Sequence, residues 1–181
     1  MKIYVVNGFP GSGKTTFENT VEALSYSCDI ISTIDPIKER AFFFGWNGEK
    51  DAKGRKLLYN LKRAWVEYGD QPYTWLEEIF RLARYGGTDV IFVDCREPEE
   101  IKEICRRFGA KSLLVQRATI ENKKQSNESD ANVLNYDYDI VIENNGSKYD
   151  LAVAAENFIE KEGIIKRKGP YCLNLFGEIV K

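Results

Sequence analysis

The chain alternates between short apolar runs bounded by turn residues and longer stretches whose apolar residues recur every three or four positions. Continuous short runs suit buried strands, and the 3.6-residue period suits amphipathic helices. Ile3 to Val6 reads as the first strand, followed by a helix from Lys14 to Ser27 with Phe17, Val21 and Leu24 on one face. Asp29 to Thr33 predicts the second strand. Three helical stretches come next. Pro36 to Phe44 is short; Arg55 to Tyr68 carries Leu57, Leu58, Leu61, Ala64, Trp65 and Tyr68 as a stripe; Thr74 to Tyr85 carries Trp75, Ile79 and Leu82. Asp89 to Asp94 is apolar between its ends, the pattern of a central strand covered on both faces. Glu97 to Phe108 returns to helical spacing, with Pro98 in its first turn and Ile101, Ile104, Cys105 and Phe108 inward. Lys111 to Gln116 and Asp139 to Glu143 predict strands four and five. Tyr149 to Lys161 is a closing helix with Leu151, Ala155, Phe158 and Ile159 on its core face.

Strands alternating with helices predict βαβ units, hence an α/β fold with a five-stranded, mainly parallel sheet between helical layers. The 181 residues suit one domain, 1–181. Two segments break the alternation: a helical insert over 45–86 and a polar stretch over 117–137. The second is long for a connection, and loops of that length often act as lids. The segment from Gly163, with Gly169-Pro170 and a partly apolar 171–180, fits an edge strand or a partner contact.

Composition narrows the chemistry. No apolar run approaches the roughly 18–20 residues that cross a bilayer, and no leader-like segment precedes the first strand, so a soluble, cytoplasmic protein is expected. Lys and Arg total 26 against 28 Asp and Glu, a net charge of −2, so nucleic-acid binding has no bulk electrostatic support. The four cysteines, Cys28, Cys95, Cys105 and Cys172, are widely spaced, and no histidine is present. That disfavours a His/Cys zinc site and removes Ser-His and Cys-His nucleophile schemes. The cysteines are expected as buried reduced thiols. Chemistry must rest on carboxylates, lysines, arginines and backbone.

One stretch answers that description. Gly8-Phe9-Pro10-Gly11-Ser12-Gly13-Lys14-Thr15-Thr16 lies between the first strand and the first helix and matches G-x-x-x-x-G-K-[ST]. Its glycines let backbone amides converge on phosphate oxygens, and the helix N-terminus adds its positive dipole end. Lys14 would reach the β- and γ-phosphates of ATP, and the Thr15 hydroxyl would ligate Mg²⁺. Further candidates sit where ligands bind in open α/β sheets, beyond the carboxyl ends of strands. Asp94 closes strand three, as a magnesium-shell residue or a ligand of an acceptor. Arg40, Arg96 and Arg117 follow strands two, three and four; each alone could be an ordinary surface residue. Cys95, not Glu, follows Asp94, which disfavours the Glu-activated water of ATPase motors.

These residues resemble nucleoside monophosphate kinases. Ile31-Ser32-Thr33-Ile34-Asp35 followed by Arg40 is similar to the acceptor segment of adenylate kinases, which implies that Asp35 and Arg40 bind the acceptor. Four blocks in order resemble phage-type deoxynucleoside monophosphate kinases: the glycine-rich loop, Val93 to Glu100, Leu113 to Arg117, and Asp139 to Ser147. That resemblance implies that Arg96 holds the acceptor phosphate, that Arg117 opens a lid over 117–137, and that 45–86 is the acceptor-binding arm. Members of that family often carry a His-x-Ser-Glu-like element late in the lid; here Asn127-Glu128-Ser129-Asp130 stands without histidine. Lys123 and Lys124 are candidate phosphate contacts on closure, and Gly54-Arg55-Lys56 a candidate acceptor-phosphate contact. The arm's aromatics, from Phe42, Phe43 and Phe44 through Trp46, Tyr59, Trp65, Tyr68, Tyr73 and Trp75, are expected mostly in the core. The expectation is a kinase using ATP and Mg²⁺ on a nucleotide acceptor, with Lys14, Arg117 and Asp94 at the transferred group. Another small metabolite as acceptor, or an ATPase or switch acting on a protein partner, are the alternatives.

Overall fold

The apolar segment at the centre of the chain becomes β3 (Val90–Asp94), whose first four residues are buried. It lies between β2 (Cys28–Ser32) and β1 (Lys2–Asn7); β4 (Lys111–Gln116) and β5 (Ile140–Glu143) continue the sheet on the other side. The order is β2-β3-β1-β4-β5 and every pairing is parallel. The computed structural model describes residues 1–121 and 132–167 together with the backbone of 172–173 and 179–180.

The pleat of β1 divides the core in two. Tyr4 and Val6 face α1 (Lys14–Leu24) and the closing helix, and pack with Phe17, Phe92, Leu151 and Phe158. There the Phe158 ring stands edge-on to Tyr4 at 5.0 Å and to Phe17 at 5.4 Å, a favoured aromatic geometry. Ile3 and Val5 face the opposite layer and pack with Leu76, Phe80, Ile91, Val93, Ile101 and Ile104. That layer is built from α4 (Gln71–Tyr85) and α5 (Pro98–Phe108). Two helices, α2 (Asp35–Phe43) and α3 (Ala52–Tyr68), form a smaller core of their own around Ile37, Ala41, Trp46 and Leu58. A short α6 (Ala118–Glu121) follows β4. The closing helix, α7 (Lys148–Glu162), starts at a capping box in which Ser147 and Asp150 each bond the other's backbone amide.

After α7 the chain runs antiparallel beside the end of α1, with Tyr26 N donating to Ile165 O at 2.8 Å and Arg167 N to Leu24 O at 2.8 Å. Beyond it, β6 (Cys172–Leu173) and β7 (Ile179–Val180) pair only with each other. The edge strand envisaged for the tail is therefore absent from the main sheet among the described residues. No helix among them is long and apolar enough to cross a membrane. The described thiols are free: Cys95 is buried, while Cys28 and Cys105 are partly exposed, less covered than the sequence suggested.

Candidate functional site

Register builds the site first. Val6 and Ser32 both pair with Asp94, so the carboxyl ends of β1, β2 and β3 finish in one row. The loop from Gly8 to Gly13 leaves β1 at that row and turns into α1. Gly11 and Gly13 adopt φ of 83° and 97°, a region that L side chains resist. Gly8 N donates to Asn7 Oδ1 at 2.8 Å and Ser12 N to Phe9 O at 3.0 Å, and Pro10 has no amide to offer. The first turn of α1 carries no acidic residue and no side-chain cap, so its amides and dipole remain for an anion. Ser12 Oγ is buried without a hydrogen-bond partner among the described residues. The loop fits a phosphate chain.

Lys14 Nζ pairs with the Asp94 carboxylate and lies 3.7 Å from Glu18 Oε2, one turn along α1. Glu18 is 1% exposed, and its Oε1 has no hydrogen-bond partner among the described residues. Burial, reinforced by the Asp94 charge and only partly countered by Lys14, pushes the Glu18 carboxyl up to about 8. A single ammonium thus faces two carboxyl groups, one of which keeps its proton near neutrality. A raised acid favours folding in its protonated form: its contribution is complete below the ordinary carboxyl range and is lost as pH rises through about 8. Glu18→Gln removes this titration. Between pH 5 and 8.5 the variant's melting temperature should gain on the wild type's by roughly 5 °C or more. Parallel melting curves over that range would disprove the buried-acid assignment.

The other candidates occupy the same end of the sheet. Thr15 and Thr16 are exposed on the first turn of α1, so the Thr15 hydroxyl is open to a metal. No cluster of three or more carboxylate, thiol or imidazole groups that could hold a cation exists among the described residues. Mg²⁺ suits such a sparse set, since it keeps most of its water and rests on substrate phosphates plus one or two protein oxygens. Asp35 has both carboxylate oxygens engaged, by Ser32 N at 2.8 Å and Lys38 Nζ at 2.7 Å. It therefore fixes the start of α2. Arg40 is exposed on α2 and Arg96 on the loop after β3, while Arg117 is half-buried after β4. Lys14 and Asp94 meet directly; Arg40 and Arg117 follow strands of that sheet without a hydrogen bond or ion pair to them among the described residues. Of the polar stretch, residues 122–131 lie outside the described residues, and with them Lys123, Lys124 and Asn127 to Asp130.

Three groups in the loop's surroundings have no counterpart in the motif. Asn7 accepts from Gly8 N and donates to Arg96 O at 3.3 Å and Tyr138 Oη at 2.8 Å. Asn144, buried at the end of β5, donates to Ser12 O at 2.7 Å. Asn145 Oδ1 accepts from Ala118 N at 2.9 Å, tying the start of α6 to the β5 end. Their sequence signals were position, at or just past strand ends, and for Asn144 and Asn145 their place in the Asp139 to Ser147 block. The Glu18 signal was its spacing of four from Lys14, which puts both on one helix face.

The aromatic expectation needs correction. Trp46 is buried and Trp65, Tyr73 and Trp75 half-buried, but Phe42, Phe43, Phe44, Tyr59 and Tyr68 are exposed. The core that α2 and α3 share, around Ile37, Ala41, Trp46 and Leu58, is too small to enclose that much ring surface. Gly54 is buried under Trp46, with Arg55 and Lys56 exposed beside it. A cleft lined by Cys28, Ile30, Ile79, Leu82 and Thr88 follows the open edge of β2, away from the glycine loop.

Fold and loop together define the three-layer α/β P-loop class. No sequence-family model matches the chain, and no curated protein does. Among solved structures it is similar to TT1252 from Thermus thermophilus, with a TM-score of 0.51 at 18% identity over 88% of this chain and 97% of that one. It is also similar to the shikimate kinase from Bacteroides thetaiotaomicron, with a TM-score of 0.45 at 16% identity over 91% and 99% of the two chains. For the shikimate kinase from Aquifex aeolicus the values are 0.43, 16%, 90% and 97%. At such identities the likeness is one of fold.

Proposed function

We propose that this chain is a small P-loop kinase that moves the γ-phosphoryl group of ATP to a nucleoside or deoxynucleoside monophosphate. The observation that carries the reading is the Lys14–Asp94 ion pair at the mouth of an anion-ready loop, with Arg96 two residues beyond Asp94. Within the 45–86 insert, α3 packs with α2 in a core of its own, which supports an acceptor arm there, while α4 packs into the sheet core.

Bound Mg²⁺·ATP supplies an electrophilic phosphoryl group whose charge is partly neutralised. The free amides of the loop and the first turn of α1 hold the donor phosphates. Lys14 would pass from Asp94 to the donor phosphates, and Asp94 and Thr15 would then be the residues to hold the hydrated cation. Arg96 and Arg40 align the acceptor phosphate for in-line attack, and Arg117 brings further positive charge to the transferred group. No general base is required, because the attacking phosphate oxygen is already anionic. Exclusion of water by the 117–137 segment would suppress hydrolysis.

The test is ADP formation from ATP and Mg²⁺ with a panel of ribo- and deoxynucleoside monophosphates, alongside hydroxyl-bearing small metabolites. Turnover that depends on one or a few monophosphates is the expected result. Turnover driven only by a hydroxyl acceptor would move the substrate class, and hydrolysis indifferent to every acceptor would leave an ATPase.

A further inference from the structure

We propose that Lys62 and Glu100 are the positioning pair that sets the acceptor arm against the phosphate-binding end of the sheet. The proposal rests on the kinase reading only for what the arm carries. Lys62 lies in α3, and its Nζ donates to Glu100 Oε2 at 2.6 Å in the first turn of α5. It also donates to Thr33 Oγ1 at 2.9 Å, just past β2. Glu100 Oε2 accepts in addition from the buried Cys95 thiol at 3.1 Å, between Asp94 and Arg96 in sequence. Thr33 N in turn donates to Asp94 O at 3.1 Å. One ammonium therefore joins the arm to both strand ends that flank the candidate acceptor site.

Burial and packing argue that the pair does more than hold helices together. The side chains are only 19% and 9% exposed, and Glu100 Oε1 is buried with no partner among the described residues. Burial is the largest single influence and works against the Lys62 ammonium, but the acidic groups around it, Glu100 first, together outweigh it and raise its pKa above the ordinary range, so Lys62 stays charged. A buried ion pair with an orphaned oxygen is a poor way to gain stability; apolar residues of similar volume often serve as well or better. What it supplies is direction, because charge and hydrogen bonds fix one register where apolar contacts tolerate sliding. Direction matters here because the apolar contacts of α3 lie within the arm's own cluster, with Ile37, Ala41 and Trp46. By contrast α4, the next helix, packs into the sheet core through Leu76 and Phe80. α3 also lies against α4, and among the described residues Lys62 carries its side-chain hydrogen bonds to the end of the sheet.

The test uses the full chain with Lys62→Met, Lys62→Arg, Glu100→Gln and the charge exchange Lys62→Glu with Glu100→Lys. Kinetics are read with dAMP, dCMP, dGMP and dTMP as probes, and backbone amide exchange is followed in α3. Lys62→Met and Glu100→Gln should raise the KM of the best acceptor about tenfold, since small misplacements cost that much, while the KM for ATP stays within about twofold. Lys62→Arg or the charge exchange should recover most of the loss. Exchange in 52–68 should quicken in Lys62→Met while α1 and β1 keep their protection. An unchanged acceptor KM, or equal rises for ATP and acceptor, would overturn the proposal. If the wild type uses neither these deoxynucleotides nor their ribo counterparts, the monophosphate-acceptor reading fails separately; amide exchange then decides, and unchanged protection of α3 in Lys62→Met overturns the positioning role.

Discussion

Lys14→Ala is expected to lower acceptor-dependent turnover by about 10²–10³-fold or more, the scale on which a single preorganised charge at a reacting group is felt. The reason lies in how Lys14 is held. Its ammonium already pairs with Asp94 and faces the buried Glu18, so it is preorganised at the loop rather than drawn in from solvent. Removing it takes a cation from the transferred group and leaves two carboxyl groups side by side. They would then compete with phosphate for the same space, so nucleotide affinity should fall as well as kcat. Lys14→Arg should recover little, because a planar guanidinium cannot stand in for a compact ammonium between two carboxyl groups. The measurement is steady-state ADP release with a parallel melting curve at pH 6, where Glu18 is protonated. Near-normal turnover in a folded variant would mean that the glycine loop is not the working site.

What the sequence disclosed was set by how local the cause is. β3 and β4 were legible because burial on both faces leaves a continuous apolar run; the β4 bounds, Lys111–Gln116, coincide with the expected ones. Helix ends were less legible, since caps decide them. The first helix was expected to reach Ser27 but stops at Leu24, because Ser25 turns extended and its hydroxyl bonds back to Val21 O at 2.6 Å. The third helical stretch begins three residues earlier than its stripe implied, at Ala52, because the Asp51 side chain accepts from Gly54 N. Its stripe also overstated the core: Ala64 and Tyr68 are exposed. The glycine loop was readable because nine consecutive residues carry it. Lys62 and Glu100 were not, since their meaning depends on which helices meet; Glu18 offered its spacing from Lys14, but its burial beside Asp94 depends on how α1 packs on the sheet.

Gly13→Ala should lower both the stability of the fold and its affinity for phosphate. Gly13 sits at φ 97°, where an alanine costs about 1–2 kcal/mol in backbone strain alone. Space is the larger objection: a Cβ there would lie 2.2 Å from Asn144 Nδ2 and 3.2 Å from Leu151 Cδ2. Asn144 must then move, and with it the 2.7 Å hydrogen bond to Ser12 O that fastens the loop to the end of β5. Losing that bond adds about 0.5–1.5 kcal/mol, more if the buried amide finds no new acceptor. The sum, about 2–4 kcal/mol, corresponds to a melting temperature lower by roughly 5–12 °C in a chain of this size. Phosphate affinity should fall further than stability, because the same displacement turns the loop amides away from a common centre. Asn144→Ala separates the two effects. It deletes the fastening bond without straining Gly13, so it should lower the melting temperature by less and weaken ATP binding only in part. If Asn144→Ala matched Gly13→Ala in both measurements, the fastening bond rather than the left-handed turn would be what shapes the anion site.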